Sequence, residues 1–188
     1  MSAAFNIPLE EVVGLITVEE FEAMDLPDSC KWELIDGEVV SVTFPDLDHV
    51  DIQDRLRDML KALFGAAAVV RTELPFATNR HNKNGADVGA VDPIRYQSSR
   101  KRLDGAPEMV IEVISQSNRE KKLEILATRC FAHGCHEFWR VYPKRQTVVT
   151  VALQDGGDIV TTEYHLSDFI PVRLFGVAGH VSVSGIFS

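Results

Sequence analysis

Met109-Val110-Ile111-Glu112-Val113-Ile114 is apolar except for one carboxylate. A short run of this kind forms a central strand covered on both faces. A carboxylate inside such a strand is costly unless it is paired, hydrogen-bonded or bound to a metal. Upstream, Asp87 heads a second run, Val88-Gly89-Ala90-Val91, and Glu33 lies between Trp32 and Leu34 in a third. Three acids on neighbouring sheet elements can converge on one point, and oxygen donors of this type suit Mg²⁺ or Mn²⁺. The same spacing is also met by acids that pair with Arg71 or Arg95, or that sit at strand ends in water.

The elements around these acids follow from local pattern. Thr17 and Glu20 form a capping box, with Phe21 and Met24 on one face of a short helix. Asp36-Gly37 between two apolar runs predicts a hairpin. Asp48 is a candidate cap for a helix carrying Ile52, Leu56, Met59, Leu60, Leu63 and Phe64 on one face, closed by Gly65. Strands are expected at 69–77, 86–91 and 109–114. A turn at His81-Asn82-Lys83-Asn84-Gly85 separates the first two, and a polar loop from Asp92 to Pro107 the last two. Ser117 and Glu120 form a second capping box, and Leu123, Ala127, Cys130 and Phe131 give that helix an apolar face up to Gly134. Strands at 137–142, 147–153 and 159–164 follow, the last after the turn Asp155-Gly156-Gly157-Asp158. The order predicts a layered α/β or α+β sheet. It reads as one domain over residues 1–188: a helix and hairpin at 17–42, a core at 48–153 and an edge at 154–188.

Composition limits the function. Of 188 residues, 45% are hydrophobic and 25% charged, the globular norm. Acids outnumber bases 28 to 19 for a net charge of −9, which excludes a generally basic nucleic-acid binder but not an enzyme that meets nucleic acid through a local groove and metal ions. Three cysteines, the lack of an apolar run long enough to span a membrane, and the lack of a signal peptide predict a cytoplasmic protein.

Glu33-Leu34-Ile35-Asp36-Gly37-Glu38 resembles the ELIDGE segment of Uma-type restriction endonucleases, a group within the PD-(D/E)XK nuclease superfamily. Ala86-Asp87-Val88 resembles that family's PDV. The stretch Pro107-Glu108-Met109-Val110-Ile111-Glu112-Val113-Ile114-Ser115 resembles its PDLVIEVLS, and Gly134-Cys135-His136-Glu137-Phe138-Trp139 its GVxEYW. His49 resembles a recurrent family histidine, which would orient a carboxylate or phosphate; it also fits an exposed helix turn. The resemblance runs from about Trp32 to Pro143. It implies a restriction-endonuclease-like mixed sheet flanked by helices, with an αβββαβ core. It further implies Mg²⁺ or Mn²⁺ on Asp87 and Glu112, Glu33 as an accessory acid, and DNA as substrate.

The departures are specific. The family lysine position is occupied by Leu126, a family aromatic position by Cys130, and the family aspartate one turn before the lysine by Lys122. The SPS after the glutamate strand is Ser115-Gln116-Ser117, and the aspartate of VDP is Tyr142. Lys122 lies at i−4 from Leu126, on roughly the same helix face, and could supply the missing charge. Two readings result. One is an Mg²⁺-dependent endonuclease using Glu33, Asp87, Glu112 and Lys122. The other is an inactive module of the same fold that binds nucleic acid or a protein. A homodimer is one assembly left open.

Other signals are weaker. Cys130, His133, Cys135 and His136 are wrongly spaced for a zinc finger, and Cys130 reads better as a small buried hydrophobe. Arg100-Lys101-Arg102 suits either a DNA backbone or a solvated loop. There is no Gly-x-Ser-x-Gly elbow and no Gly-rich phosphate loop.

Overall fold

The computed structural model describes residues 14–99, 101–115, 120–154 and 157–188. The lead-in before residue 14, Arg100, the Ser117 half of the second capping box and Asp155-Gly156 lie outside them. Helix α1 (Val18–Ala23) opens on the expected box: Thr17 Oγ1 accepts from the Glu20 N–H, and the Glu20 carboxylate accepts from the Thr17 N–H at 2.8 Å. Its buried residues are Val18 and Phe21; Met24 is the extended C-cap and is exposed.

Strands β1 (Lys31–Ile35) and β2 (Glu38–Val42) join through Asp36-Gly37, both at positive φ, 50° and 78°. That is the mirror-image turn whose twist matches a hairpin. A Cβ on Gly37 would lie 2.6 Å from Leu15 Cβ. Gly37→Ala is therefore expected to cost about 1–2 kcal/mol, seen as a lower urea midpoint at unchanged slope. An unchanged midpoint would mean that the Leu15 segment yields freely.

Helix α2 (Leu47–Phe64) is capped by Asp46 rather than Asp48: Asp46 Oδ1 accepts from the His49 N–H at 2.9 Å. Ile52, Leu56, Leu60 and Phe64 are buried, one per turn. Strands β3 (Val69–Asn79) and β4 (Asn82–Val91) form a long hairpin, and the expected turn over 81–85 shrinks to Arg80-His81. Asn82 looks like a turn residue but is buried in the strand, where its amide bonds Asp36 and Asn79. Asp87 consequently sits inside the strand rather than at its head. The expected polar loop after β4 contains helix α3 (Pro93–Ser98), capped by Asp92, and a short strand β5 (Leu103–Asp104) parallel to β3. Then follow β6 (Met109–Val113), α4 (Glu120–Ala132), β7 (Glu137–Tyr142), β8 (Thr147–Leu153), β9 (Ile159–Tyr164), β10 (Phe169–Leu174), β11 (Val177–Ser182) and α5 (Val183–Phe187).

Among the described residues the main sheet has nine strands in the order β2-β1-β4-β6-β7-β8-β9, with β3 paired to β4 and β5. β6 and β7 are parallel and the neighbouring pairs antiparallel, so the sheet is mixed. α2 covers one face over Val88, Ala90, Met109, Ile111, Val113 and Trp139; α4 covers the other over Leu74, Phe76, Ala86, Val110 and Phe138. Beyond β9 the chain does not extend this sheet. The β10–β11 ribbon and α5 pack on α2, placing Ile170, Val172, Val181, Val183 and Ile186 in its core. Among the described residues, no helix is long and apolar enough to cross a membrane.

Two irregularities shape the middle of β4. β3 pairs with one edge along its length, while the other edge is shared: β1 meets it at Lys83 and β6 at Val88–Ala90. The two neighbours diverge between these points and leave a fork. At the same level the side-chain alternation breaks. Val70 and Val88 belong to the α2 core, but Leu74 and Ala86, an even number of residues away, belong to the α4 core. The break coincides with Glu73, a non-glycine residue at φ +51° that lies between the register pairs Thr72–Val88 and Leu74–Ala86.

Candidate functional site

Acids from three strands fill the fork. Glu33 on β1 accepts from the Gly85 N–H at 3.2 Å. Asp87 on β4 accepts from the Val113 N–H at 2.7 Å. Glu112 on β6 accepts from the Asp87 N–H. Where β1 and β6 part, backbone donors that would otherwise lack a ladder partner are thus capped by carboxylates. The acids are part of how the sheet divides, which explains their place in apolar strands.

Asp87 is held most closely. Its Oδ1 accepts from Gln53 Nε2 at 2.9 Å, and His49 Nε2 lies 3.2 Å from its Oδ2. Both partners project from α2, where Gln53 is buried beside Ile52 and Leu56. Gln53 Nε2 also donates to Glu73 Oε1 at 2.9 Å, and Glu73 Oε2 meets Lys31 Nζ at 2.6 Å. A chain of contacts therefore runs Lys31–Glu73–Gln53–Asp87–His49.

Negative charge in the fork exceeds the positive charge set against it. Burial, and then the charges of Asp87, Glu33 and Glu73, push the Glu112 carboxyl well above its ordinary value; the Asp87 N–H offsets this only in part. Burial also raises Glu33, with Asp87 and Glu73 adding to the effect and hydrogen bonds from Gly85 and Asn84 opposing it. Arg71 bonds Tyr96 and the Val70 carbonyl, and Arg95 pairs with Glu108 at 2.6 Å, so neither neutralises Glu33, Asp87 or Glu112. Arg102 is taken up by Glu19 and Glu22.

The sequence candidates separate accordingly. Glu33, Asp87 and Glu112 lie together, and His49 joins them through Asp87. Lys122 is exposed on α4 and makes no ion pair among the described residues. Leu126 is half-buried against the α4 core, and one turn further on Cys130 is buried in that core, its thiol raised by burial first and only slightly by the charge of Glu112. Glu73, Gln53 and Lys31 do not stand out in the sequence. Signals for two of them exist: Lys31 shares a strand face with Glu33 at i, i+2, and Gln53 is a polar residue on the apolar side of α2.

Among the described residues no three His, Cys, Asp or Glu side chains converge as a closed metal site, either in the fork or at Cys130, His133, Cys135 and His136. Cys130 and Cys135 are packed as small hydrophobes, and burial pushes the Cys135 thiol up to about 12. The fork still fits a hard cation. Its donors are carboxylate oxygens short of positive charge, and Mg²⁺ characteristically takes one or two carboxylates and completes its shell with water and substrate oxygens.

A model of the Uma2 family, described as "Putative restriction endonuclease", matches residues 18–182. Among solved structures the chain is similar to a "putative nuclease belonging to DUF820" from Anabaena variabilis. The two share 21% identity and superpose with a TM-score of 0.76, over 92% of this chain and 97% of that one. At that identity the likeness is one of fold. No curated protein matches the chain.

Proposed function

The chain belongs to the Uma2 "Putative restriction endonuclease" family, and from that membership together with the acids in the fork we propose that it is a metal-dependent endonuclease that hydrolyses DNA phosphodiesters. The observation that carries the reading is Glu112: a carboxylate on a central strand beside Asp87 and Glu33, with no side-chain cation against it among the described residues. Asp87 and Glu112 would hold Mg²⁺ or Mn²⁺, with Glu33 beside them. When bound, such an ion lowers the pKa of a water and stabilises charge on phosphoryl oxygens. The protein's own part is orientation. Gln53 and the Val113 N–H fix the Asp87 carboxylate, with His49 lying against it, and the Gly85 N–H fixes Glu33. Lys122 faces water, where its charge is screened and steers substrate more than it stabilises a reacting group.

The test is cleavage of supercoiled plasmid by the purified chain with Mg²⁺ or Mn²⁺, abolished by a chelator. One observation favours an inactive binding module instead: an apolar Leu126, half-buried against the α4 core, stands where the family resemblance calls for lysine. Leu126→Lys restores an ammonium at that position. It is expected to raise metal-dependent cleavage roughly tenfold, while costing about 1–2 kcal/mol of stability because a half-buried charge replaces packed hydrocarbon. No cleavage by the wild type or by Leu126→Lys, across several metals and DNA substrates, would sink the enzyme reading in favour of the module.

A further inference from the structure

Building on the nuclease reading, we infer that Lys31 is a catalytic residue: the ammonium that this site presents to the substrate phosphodiester, with Glu73 as the residue that positions it. Hydrolysis adds negative charge to the phosphoryl oxygens as the transition state forms, so a fork lined by acids needs a fixed cation facing the substrate. Among the described residues Lys31 is the lysine or arginine ion-paired to a member of this cluster, 2.6 Å from Glu73. It leaves β1 on the same face as Glu33, two residues away. Its side chain is 31% exposed and that of Glu73 39%, so the pair is open to solvent and the ammonium is within reach of an incoming phosphate.

Glu73 is built for holding. A left-handed backbone at a non-glycine residue costs on the order of 1–3 kcal/mol and persists only where its surroundings impose it. Glu73 adopts it inside a strand, where the side-chain alternation breaks, and sends the carboxylate to both Gln53 and Lys31. Gln53 links the same carboxylate to Asp87, so the cation and the proposed metal-binding acid are tied through one amide. Lys31 contributes charge alone; its proton stays on Nζ and no bond to it forms.

Lys31→Met, Lys31→Arg and Glu73→Gln in the full chain test this by plasmid cleavage, Mn²⁺ calorimetry and thermal melting. Lys31→Met is expected to lower cleavage roughly tenfold to a hundredfold and to raise Mn²⁺ affinity a few-fold, because a competing cation has gone. Glu73→Gln is expected to lower both cleavage and Mn²⁺ affinity, and Lys31→Arg to keep most of the cleavage. This pattern of opposite affinity changes is not produced by a merely structural pair. Lys31→Met losing cleavage, Mn²⁺ affinity and melting temperature together would overturn the inference. Lys31→Met cleaving like an active wild type would overturn it and leave the nuclease reading standing. A wild type that cleaves nothing overturns it, and takes the nuclease reading with it when Leu126→Lys is inactive too.

Discussion

Glu112→Gln is expected to abolish divalent-metal binding, reduce cleavage by about a hundredfold or more, and yet make the metal-free protein more stable at neutral pH. The amide keeps the shape and removes the charge that burial, Asp87, Glu33 and Glu73 disfavour. The sign follows from linkage. An acid whose folded pKa is raised contributes stability that is full below its unfolded value, near 4.3, and is lost as pH rises through the folded value. The wild type without metal should therefore gain stability from Glu112 as pH falls from neutrality toward about 4.3. Glu112→Gln should lack that gain and melt higher at pH 7–8. A rise of one pKa unit is worth about 1.4 kcal/mol, and each kcal/mol moves the melting temperature of a chain this size by about 2–4 °C. Glu137 titrates alike in both proteins, so the difference between the two pH–stability curves reports Glu112 together with its repulsion of Glu33. A variant less stable than the wild type at pH 7–8 would show that the carboxylate is already compensated without metal.

Asp87→Ala is expected to remove metal binding and cleavage just as fully, but with the opposite effect on stability. Asp87 accepts hydrogen bonds from the Val113 N–H and Gln53, and His49 lies against it. Deleting it leaves the Val113 N–H without its acceptor where β4 and β6 separate, and each unsatisfied buried donor costs about 1–3 kcal/mol. Relief of repulsion on Glu112 and Glu33 returns part of this, so a net loss of about 2 kcal/mol is expected. Asp87→Asn, which keeps a carbonyl for the Val113 N–H, should lose metal binding with a smaller drop in melting temperature. The two acids proposed to share one ion thus differ in their duties. Higher melting temperatures for both Asp87→Ala and Asp87→Asn would show that this carboxylate does not brace the fork.

Much of this architecture is legible in the chain because periodicity and turn chemistry act locally. The Asp36-Gly37 hairpin, the α2 stripe from Ile52 to Phe64 and the Glu112 strand all follow from spacing. What escapes is set by distant partners. Asn82 and Asn84 read as turn residues, yet they lie buried in β4, where Asn82 is held by Asp36 from a different hairpin. Asp92 and Pro93 carry a helix-start signal inside a stretch whose composition reads as polar loop. Glu33, Asp87 and Glu112 stand out because carboxylates contradict their apolar strands. Glu73 does not, because an acid in an ordinary half-exposed strand contradicts nothing; only its left-handed backbone and its bond to Gln53 reveal it. Lys31 gains meaning only through Glu73, across a β3–β1 contact that one-dimensional spacing does not encode.

The C-terminal ribbon has a consequence for how the molecule is made. Met59 and Leu63 of α2 lie against residues contributed by β11 and α5, more than a hundred positions later in the chain. During synthesis the α2–β3–β4 unit emerges long before that cover exists, so one flank of α2 stays greasy while the rest of the sheet is still being assembled. Closing it is a long-range event of the kind that slows folding. That flank of α2 is buried only once Val181 to Ile186 have been made and laid against it.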